Sequence, residues 1–424
     1  QCNEKGIKGL VIITAGFKEV DHEGALVEEE MLRRVRKYGM RLVGPNCLGV
    51  INSHPDYSLD ATFALKLPQR GNIGFVSQSG ALVAGILNIL RDLQIGFSQL
   101  ISVGNQPDVN AETAIEYWED DEDVGQILLY LETIKDPKHF RELASRVTKK
   151  KPILALKAGR SSAGASAASS HTGSLAGSDM ATAALLEQSG VIRELSLKNL
   201  FSTANAFATC PIPKGKRVAV ITNSGGPGIM ATDAIIDEGL EMAKILDASK
   251  DKLRSFLPSV ASVKNPVDMI ASASIEQYMK TLEILLDDPN VDMVIVIYLK
   301  LLGGDIMNLA EKLMEVRAKR TDKPIVAVFL AKSTFFNKLS DMKLNMPFYM
   351  YAEEAAQALG RLYQQRKWIE RPAGKLPAYT NVDKNKVKQL MKKPLIIDGR
   401  NQYNGRRLKE QGVEYICIGR KSNT

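Results

Sequence analysis

The sequence predicts an α/β protein whose main part is two flavodoxin-like, doubly wound domains, and three observations predict this fold class. Strand-length runs of β-branched residues alternate with helical patterns along most of the 424 residues. The alternation occurs twice in the same order, which indicates an internal repeat. In both copies a Gly/Ser turn joins the first strand to the first helix, as in open parallel sheets that bind ligands.

The first copy begins with a strand, a turn and a helix in NIGFVSQSGALVAGIL (72–87). A second strand, ending in Tyr-Leu, and a helix follow in DVGQILLYLETIKDPKHFRELASRV (123–147). A strand led by Lys-Pro closes the copy in KKPILALKAGRS (150–161). We expect one domain to cover residues 69–210.

The second copy repeats these elements in the same order. They lie in RVAVITNSGGPGIMATDAI (217–235), NVDMVIVIYLKLLGGDIMNLAEKLMEV (290–316) and DKPIVAVFLAKS (322–333). We expect this second domain to cover residues 214–375 and to join the first near TCPIPKGK (209–216).

A partial α/β unit precedes the repeat at residues 1–68. It contains the strand KGLVIITAGF, a helix at 24–38 and the segment MRLVGPNCLGVIN. These are too few strands for a closed sheet, so we expect the back half of a truncated, Rossmann-like fold. Residues 376–424 are expected to form a linker and a basic tail.

The net charge of +8 is concentrated in that tail. Residues 382–424 hold 11 Lys/Arg and 4 Asp/Glu, so residues 1–381 are close to neutral. We therefore expect no nucleic-acid partner. Apolar runs such as VIVIYL are far shorter than the ~20 residues of a membrane span, so we also expect no membrane partner.

The four cysteines are scattered, without the spacing of a metal site or a disulfide framework. We therefore expect no metal ligands in this chain and a reducing, cytoplasmic setting. The chain also opens without the charged-then-apolar pattern of a secretory signal peptide.

The two Gly/Ser turns are candidate phosphate sites. The glycines let the backbone approach a ligand closely, and a helix start offers free N–H groups to an anion. A single such turn is explained equally well by tight-turn geometry, but two in equivalent positions favour anion binding. A third Gly/Asn-rich loop, GNQPDVN, follows a strand at 104–110. The turn residues are Ser77, Ser79 and Gly80 in the first copy and Ser224, Gly225, Gly226 and Gly228 in the second.

Two residues of the first copy have no counterpart in the second. Aligning the Tyr-Leu pairs places Glu132 of the first copy opposite Lys300, and the loop SSAGASAASSHTGSLAGSD (161–179), with His171, opposite AKSTFFNKLSD. A carboxylate at a strand end can orient an imidazole and stabilise its cation, leaving the other nitrogen nucleophilic. We therefore predict a phosphohistidine at His171. The alternative is a flexible linker with an incidental histidine.

Five motifs in this order are familiar together: GPNCLGV, GFVSQSGAL, LYLETIKD, SHTGSLAGSD and NSGGPGIMATDA. Over residues 1–378 the chain resembles the α subunit of ADP-forming (NDP-forming) acyl-CoA synthetases, relatives of succinyl-CoA synthetase. The resemblance implies a reversible reaction in which phosphate cleaves an acyl-CoA to an acyl phosphate. The phosphoryl group then passes to a histidine and on to ADP.

The resemblance also implies roles for residues. It makes His171 the phosphorylated residue, stabilised by Glu132. It assigns phosphate binding to the two helix starts, and it adds Ala81 to the phosphate-binding residues of the first. Cys47 is expected to be a small packing residue, and no chemistry follows for Asn265–Asp268. The implied phosphate-binding residues are Ser79, Gly80, Ala81, Gly225, Gly226 and Gly228, and the implied CoA-binding residues are Thr14, Ala15, Gly16, Pro45 and Asn46.

The implied cofactors and partners follow from the same family. Coenzyme A is a substrate, Mg²⁺ accompanies ADP or ATP, and the nucleotide is expected on an ATP-grasp beta subunit or domain in a heteromeric complex. The family's first Gly-rich turn for CoA is not in this sequence, which weakens the expectation of CoA binding. Two alternatives therefore stay open: an inactive fragment, and a CoA-binding regulatory module of the same superfamily.

The tail carries a second resemblance. PLIIDGRNQYNGRRLKEQGVEYICIGR (394–420) reads as strand–helix–strand and resembles the C-terminal end of UDP-glucose/GDP-mannose dehydrogenases. No GxGxxG lies in a βαβ context, so we infer no dehydrogenase activity. A fused or misassembled reading frame is our hypothesis for this tail.

Overall fold

The computed structural model describes residues 1–93, 95–172, 179–300, 305–372, 389, 391, 395–398, 405–410 and 412–417. The predicted α/β class with parallel sheets is confirmed. The chain forms two compact units, Gln1–Glu370 and Arg371–Thr424.

The N-terminal segment combines a short parallel strand pair with one helix. β1 (Gly9–Val11) pairs with β2 (Arg41–Val43), and α1 (His22–Lys37) lies between them in the chain. Asp21 caps α1, because its carboxylate accepts the N–H of Gly24 at 2.8 Å. A small core forms from Val35, Met40 and Leu42.

Among the described residues, seven strands form the next sheet in the order β4-β3-β6-β5-β7-β8-β9. They are β3 (Gly49–Asn52), β4 (Leu59–Thr62), β5 (Arg70–Ser77), β6 (Phe97–Ser102), β7 (Gln126–Leu131), β8 (Ile153–Lys157) and β9 (Ile192–Glu194). From β6 to β9 every pair is parallel. Counted from β5, this is the flavodoxin order 2-1-3-4-5. β3 and β4 extend the β6 edge antiparallel, although their residues fall within the predicted segment 1–68.

Helices cover both faces of this sheet. One face buries Ile86 and Phe201 against Phe75, and the other buries Trp118 and Phe140. Burial on both faces explains why these strands read as continuous apolar runs. The helices are α2 (Gly80–Leu93), α3 (Ala111–Trp118), α4 (Pro137–Val147), α5 (Ser162–Thr172), α6 (Asp179–Gln188) and α7 (Leu197–Thr209).

The second sheet repeats the order of the first, and its described pairings are all parallel. Its strands are β10 (Arg217–Thr222), β11 (Glu241–Met242), β12 (Val267–Asp268), β13 (Met293–Leu299), β14 (Ile325–Leu330) and β15 (Phe348–Tyr349). The order β11-β10-β13-β14-β15 is again 2-1-3-4-5, with β12 paired to β10. The helices are α8 (Gly225–Asp237), α9 (Asp247–Arg254), α10 (Ile275–Asp287), α11 (Ile306–Lys319), α12 (Ser333–Ser340) and α13 (Ala352–Glu370).

The strand register corrects the alignment of the two copies by one residue. Val76 pairs with Leu129 in the first sheet, and Ile221 pairs with Val296 in the second. Leu129 therefore corresponds to Val296, and counting onward Glu132 corresponds to Leu299, not to Lys300. Both copies contain a Tyr-Leu pair, but the two pairs are one residue out of register. Matching them therefore gave the wrong correspondence, since a shift of one residue along a strand moves each side chain to the other face of the sheet.

Helix α13 ties the two sheets into one unit. It packs against both α7 and α8. Arg361 donates to Glu194 Oε1 at 3.1 Å and to Glu238 Oε2 at 3.0 Å. Gln365 Nε2 donates to the carbonyl of Thr148 at 2.7 Å. These contacts hold the β9 side of the first sheet against the second domain.

The second unit contains a strand, a helix and a parallel strand. β16 (Leu395–Asp398) pairs with β17 (Glu414–Cys417), and α14 (Gly405–Glu410) lies between them in the chain. This agrees with the strand–helix–strand pattern of the sequence, while the resemblance to dehydrogenases stays a prediction. Across the described ranges, the helices lack the length and apolar character needed to span a lipid bilayer.

Candidate active site

The two Gly/Ser turns have the same hydrogen-bonded form. In the first, the Ser77 hydroxyl donates to the carbonyl of Ser79 at 2.9 Å and accepts its N–H at 3.1 Å. In the second, the Thr222 hydroxyl makes the same two bonds to Ser224, at 2.8 and 3.0 Å. Each hydroxyl sits on the last residue of a strand and fixes the turn from which a helix starts. Such a helix start directs N–H groups toward an anion.

A buried glutamine next to the first turn fixes the backbone at Glu132. The Oε1 atom of Gln78 accepts the N–H groups of Glu132 and Thr133 at 2.6 and 2.9 Å. Its Nε2 atom donates to the carbonyl of Thr133 at 2.8 Å. Because Gln78 follows β5 and Glu132 follows β7, this side chain joins two adjacent strands at their carboxyl ends. Open α/β sheets bind ligands at this edge.

The repeat conserves this device in the second copy. Asn223 bonds both the carbonyl and the N–H of Leu299, at 2.8 and 3.0 Å. The N–H of Leu299 thus takes the place of the N–H of Glu132, which agrees with the strand register. Gln78 was not predicted from the sequence to be a site residue. The available signal was an amide side chain at the same place in both turns.

Further charged side chains lie at the same carboxyl edge of the sheet. Lys157, the last residue of β8, pairs in register with Leu131 and is 6% exposed. Burial lowers the pKa of Lys157, and the carboxylates of Asp179 and Glu132 oppose that effect. The Arg193 guanidinium bonds Asp179 Oδ1 at 2.5 Å. Neither Lys157 nor Arg193 was predicted from the sequence to be a site residue.

His171 lies near the end of α5, and its side chain is outside the described part of the structure, as are residues 173–178. The described Asp179 begins α6 directly after that segment. The pairing of His171 with Glu132 therefore stays a prediction.

Three loops meet around the predicted CoA residues. The N–H of Asn46 donates to the carbonyl of Thr14 at 2.9 Å, and the N–H of Asn105 donates to the carbonyl of Pro45 at 2.9 Å. Gly104 has a φ of +53°, and a Cβ there would lie 2.2 Å from the Pro45 carbonyl oxygen. The close approach of these loops therefore requires glycine.

The same loops contact the start of α2. A Cβ on Gly80 would lie 3.0 Å from the backbone nitrogen of Leu48. The N–H of Leu48 in turn donates to the Ser102 hydroxyl at 2.9 Å. The structure thus brings the predicted CoA loop at Pro45 and Asn46 next to the predicted phosphate turn.

A buried polar network supports the loop at Thr14, Ala15 and Gly16. Asn105 Nδ2 donates to Glu28 Oε2 at 2.8 Å and to Glu19 Oε2 at 2.5 Å. Glu19 also accepts the N–H of Gly16 at 2.7 Å. Burial alone would raise the pKa of Glu19, but the hydrogen bonds from Asn105 and the backbone lower it. Glu19 is therefore held as a carboxylate that fixes the loop.

Cys47 is a packing residue, as expected. It is 4% exposed, and its thiol donates to the carbonyl of Ile12 at 3.3 Å. Burial raises the pKa of Cys47 to about 11, so the thiol is neutral near pH 7.

The second turn meets the loop of unassigned chemistry, Asn265–Asp268. A Cβ on Gly225 would lie 3.5 Å from Asp268 Oδ2, and one on Gly228 would lie 3.5 Å from Pro266. The Asn265 amide donates to the carbonyl of Val218 at 2.8 Å and accepts the N–H of Val220 at 2.9 Å. Asn265 thus replaces a strand residue between β11 and β12, which is a structural role. That Gly225, Gly226 and Gly228 share an anion with the first turn stays a prediction.

Within the described ranges, no group of three His, Cys, Asp or Glu side chains is placed to hold a metal ion. The described groups at this edge are helix-start N–H groups, a glutamate whose backbone is fixed by Gln78, and two cations, the buried Lys157 and the partly buried Arg193. That combination suits the handling of an anionic group such as phosphate.

Two family models match the chain. Residues 70–207 match the model described as "Succinyl-CoA ligase like flavodoxin domain", and residues 218–377 match the "Ligase-CoA domain". The first range contains β5 to β9, and the second contains β11 to β15 and all but the first residue of β10.

Several characterised proteins are similar over most of this chain. It is 46% identical over 372 residues to the acetate–CoA ligase [ADP-forming] II subunit alpha of Pyrococcus furiosus, covering 87% of this chain and 80% of that subunit. It is 35% identical over 421 residues to the acetate–CoA ligase [ADP-forming] of Methanocaldococcus jannaschii, covering 96% of this chain but 58% of that protein. The chain therefore spans most of a separate alpha subunit and less than two thirds of that longer ligase.

A solved structure gives the same picture. The Ca. Korarchaeum cryptofilum dinucleotide forming acetyl-coenzyme A synthetase 1, in complex with phosphate and ADP, superposes with a TM-score of 0.82 at 33% identity. The match covers 87% of this chain and 79% of that one. The share of both chains covered by this match agrees with that found for the Pyrococcus furiosus subunit.

Proposed function

We propose a function from the premise that this chain belongs to the family of ADP-forming acyl-CoA ligases and is an alpha-type chain of that family. Its reaction is reversible: acyl-CoA, phosphate and ADP give the free acid, CoA and ATP. Phosphate first displaces CoA from the thioester to form an acyl phosphate. His171 then takes the phosphoryl group and releases the acid, and ADP takes it from His171 to form ATP.

The position of Glu132 is the observation that supports this proposal most directly. Gln78 fixes its backbone with hydrogen bonds at the carboxyl ends of β5 and β7. The α2 helix start, with Ser79, Gly80 and Ala81, follows Gln78 directly in the chain. Gln78 thus connects the backbone of Glu132 to the start of α2 along one edge of the sheet. This is the pair that a phosphohistidine needs, one group for its cation and one for its phosphoryl oxygens.

Each part of the described site has a place in that reaction. We assign CoA to the loops of Thr14, Ala15 and Gly16 and of Pro45 and Asn46, which meet beside the α2 start. We assign the phosphoryl group to the α2 start, and to Gly225, Gly226 and Gly228 at the α8 start. The transfer itself needs mainly placement and positive electrostatics, which these N–H groups supply.

The nucleotide is proposed to bind elsewhere. A Pyrococcus furiosus relative is named a subunit alpha, which supports an ATP-grasp beta subunit or domain as the partner and a hetero-oligomer as the working form. We place ADP or ATP and their Mg²⁺ on that partner, following the family resemblance. When bound there, Mg²⁺ would neutralise phosphate charge. In the part of the chain that the structure describes, Cys2, Cys47 and Cys210 are free thiols, which supports a reducing, cytoplasmic setting.

Acetate is the first acid to test, because the relatives above are named acetate–CoA ligases or acetyl-CoA synthetase. An inactive fragment and a CoA-binding regulatory module remain the competing functions. Calorimetric titration with CoA and a phosphorylation assay together separate them. An inactive fragment gives no binding heat, and a regulatory module binds CoA but is not phosphorylated. The ligase chain binds CoA and is phosphorylated.

The direct test is phosphorylation of the purified chain. It would be mixed with an ATP-grasp partner subunit of proven activity and radiolabelled ATP. We expect an acid-labile, base-stable label on the wild type, none on His171→Ala and a strongly reduced amount on Glu132→Gln. An unlabelled wild-type chain beside an active partner would support the fragment instead.

A further inference from the structure

A cavity of about 510 Å³ lies between the two doubly wound domains. Its lining comes from α7 of the first domain, and from α12, the end of β15 and the start of α13 in the second. Tyr349 ends β15 and Ser333 begins α12 after β14, so the cavity lies at the carboxyl edge of the second sheet. Open α/β sheets bind ligands at this edge. The described lining includes none of the residues assigned above to CoA or phosphate.

The strand register identifies the equivalent corner of the first domain. Leu129 and Val296 correspond, and they pair with Ala155 and Ala327. On the edge strands β9 and β15, the partners of these two alanines are Arg193 and Phe348. In both domains two residues separate the edge strand from the next helix. The edge strands and the helices α7 and α13 therefore correspond residue by residue.

The corner beside β9 is filled by long side chains from α13. Gln357 donates to Glu194 Oε2 at 3.2 Å, and Arg361 donates to Glu194 Oε1 at 3.1 Å. The residues of α7 that correspond to Gln357 and Arg361 are Ser202 and Ala206. These side chains are too short to fill the corner beside β15, and Ser202 lines the cavity there. The repeat thus leaves one of two equivalent corners open.

Helix α7 presents two polar side chains to this cavity. Helical spacing places Phe201, Ser202 and Asn205, which all line it, on one face. Asn205 is 5% exposed, and its side-chain amide makes no hydrogen bond to any described residue, whereas its carbonyl accepts the Thr209 hydroxyl at 2.7 Å. Within the same described ranges the Ser202 hydroxyl has no partner either, although the Ser202 carbonyl accepts the Tyr349 hydroxyl at 2.9 Å. A buried amide without a partner costs free energy that a bound ligand can recover.

The remaining walls are mainly aromatic and carry no unpaired charge. The rings nearest α7 and α12 are those of Phe201, Phe336 and Phe348. The charged residues of the described lining, Lys198 and Glu354, form an ion pair with each other. The Lys198 ammonium also lies 5.4 Å from the ring of Tyr351, which is exposed at the surface. The interior therefore suits an uncharged ring that offers hydrogen-bonding groups.

We propose that this cavity binds the adenine ring of a nucleoside or nucleotide. An asparagine amide, with one donor and one acceptor, matches the N7 atom and the amino group of adenine. Aromatic side chains stack on the faces of such a base. A purely apolar ligand would leave Asn205 and Ser202 unpaired, and a charged ring would lack a counter-ion inside the cavity.

The size of the cavity also fits a nucleoside. Small-molecule sites have volumes of about 300–1,000 Å³, so this cavity has room for a two-ring base with its ribose. The proposed reaction places ADP and ATP on the partner, so an adenine compound bound here is not the reacting nucleotide. The inference thus adds a regulatory ligand site and does not depend on phosphorylation of the chain.

The test is calorimetric titration of the purified full-length chain with adenosine, AMP, guanosine and CoA in turn. The variants are Asn205→Leu, which removes the amide at similar size, and Ser202→Gln, which supplies the side chain that fills the equivalent corner. The matched control is Asn199→Leu, the same change on the same helix at a residue outside the described lining. Melting temperatures would be measured for every variant.

We expect adenosine and AMP to bind wild type, and guanosine to bind at least tenfold more weakly, because its O6 and N7 are both acceptors. Asn205→Leu should weaken adenosine binding at least tenfold and melt at or above the wild-type temperature, since it removes a buried unpaired amide. Ser202→Gln should also weaken adenosine binding. Asn199→Leu should keep the wild-type affinity for adenosine, and Asn205→Leu the wild-type affinity for CoA.

Wild-type chain that gives no binding heat with adenosine would overturn the proposal. So would adenosine binding that Asn205→Leu leaves unchanged, or guanosine binding as tight as that of adenosine. An equal loss of CoA and adenosine affinity in Asn205→Leu would also overturn it, because the cavity would then belong to the CoA site. None of these titrations uses the phosphorylation assay, so their failure is distinct from failure of the proposed function.

Discussion

Replacing Gln78 by alanine should disable the site while leaving the fold intact. The substitution removes hydrogen bonds to the N–H groups of Glu132 and Thr133 and to the carbonyl of Thr133. At about 1 kcal/mol each, these bonds contribute about 3 kcal/mol to the free energy of unfolding. Gln78 is 9% exposed, so water replaces the lost partners only in part.

The functional effect should exceed what this loss of stability explains. Without Gln78 the backbone that carries Glu132 loses its attachment to β5, and small misplacements at a transfer site cost rate steeply. We expect at least a tenfold fall in the rate of phosphorylation, measured where urea titration shows the variant to be fully folded. The assay would use the ATP-grasp partner and radiolabelled ATP.

Gln126→Ala is the matched control for Gln78→Ala. Gln126 is a buried glutamine at the opposite end of β7, where its Nε2 atom donates to the carbonyl of Ala204 at 2.9 Å. This variant should lose stability but keep the wild-type labelling rate. The reasoning is refuted if folded Gln78→Ala labels as fast as wild type, or if Gln126→Ala loses as much activity.

Four further results are expected. Gly104→Ala, with its Cβ 2.2 Å from a carbonyl oxygen of the neighbouring loop and a φ of +53°, should be destabilised by more than about 1 kcal/mol and lose CoA affinity in calorimetry. Gly85→Ala, in open space on α2, should be stabilised by about 0.5–1 kcal/mol and bind CoA normally. Near pH 8, Cys47 should resist iodoacetamide until urea unfolds the chain, as read by mass spectrometry, since burial raises its pKa to about 11. Arg361→Met should cost about 3–5 kcal/mol in urea unfolding at neutral pH, because it strands the buried Glu194 carboxylate. Burial raises the pKa of Glu194 above its unfolded value, so ionising Glu194 costs folding free energy as the pH rises. The loss of stability caused by Arg361→Met should therefore shrink at acidic pH, where Glu194 is protonated.

The order of elements was predictable because its signals are local. Helix α1 was expected at 24–38 and is found at His22–Lys37, and both Gly/Ser turns open helices as expected. The repeat extended this to the sheet, since both copies have the flavodoxin strand order. The antiparallel addition of β3 and β4 has no such local signal, because it depends on where a distant edge is left open.

The site was predictable only in part, for the same reason. Glu132 was identified because the two copies differ there. Its equivalent in the second copy was misaligned by one residue, and only the strand register identified it as Leu299. Gln78 was missed because its role depends on which strands are neighbours. Lys157 in KKPILALKAGRS reads as an ordinary strand residue, and only the structure shows that its charged side chain is buried.

The measurement that tests the central claim most directly is phosphorylation of wild type and His171→Ala, side by side, with an active ATP-grasp partner and radiolabelled ATP. The account predicts an acid-labile, base-stable label on wild type and none on His171→Ala. A label of the same size on His171→Ala would show that another residue carries the phosphoryl group and would contradict the account.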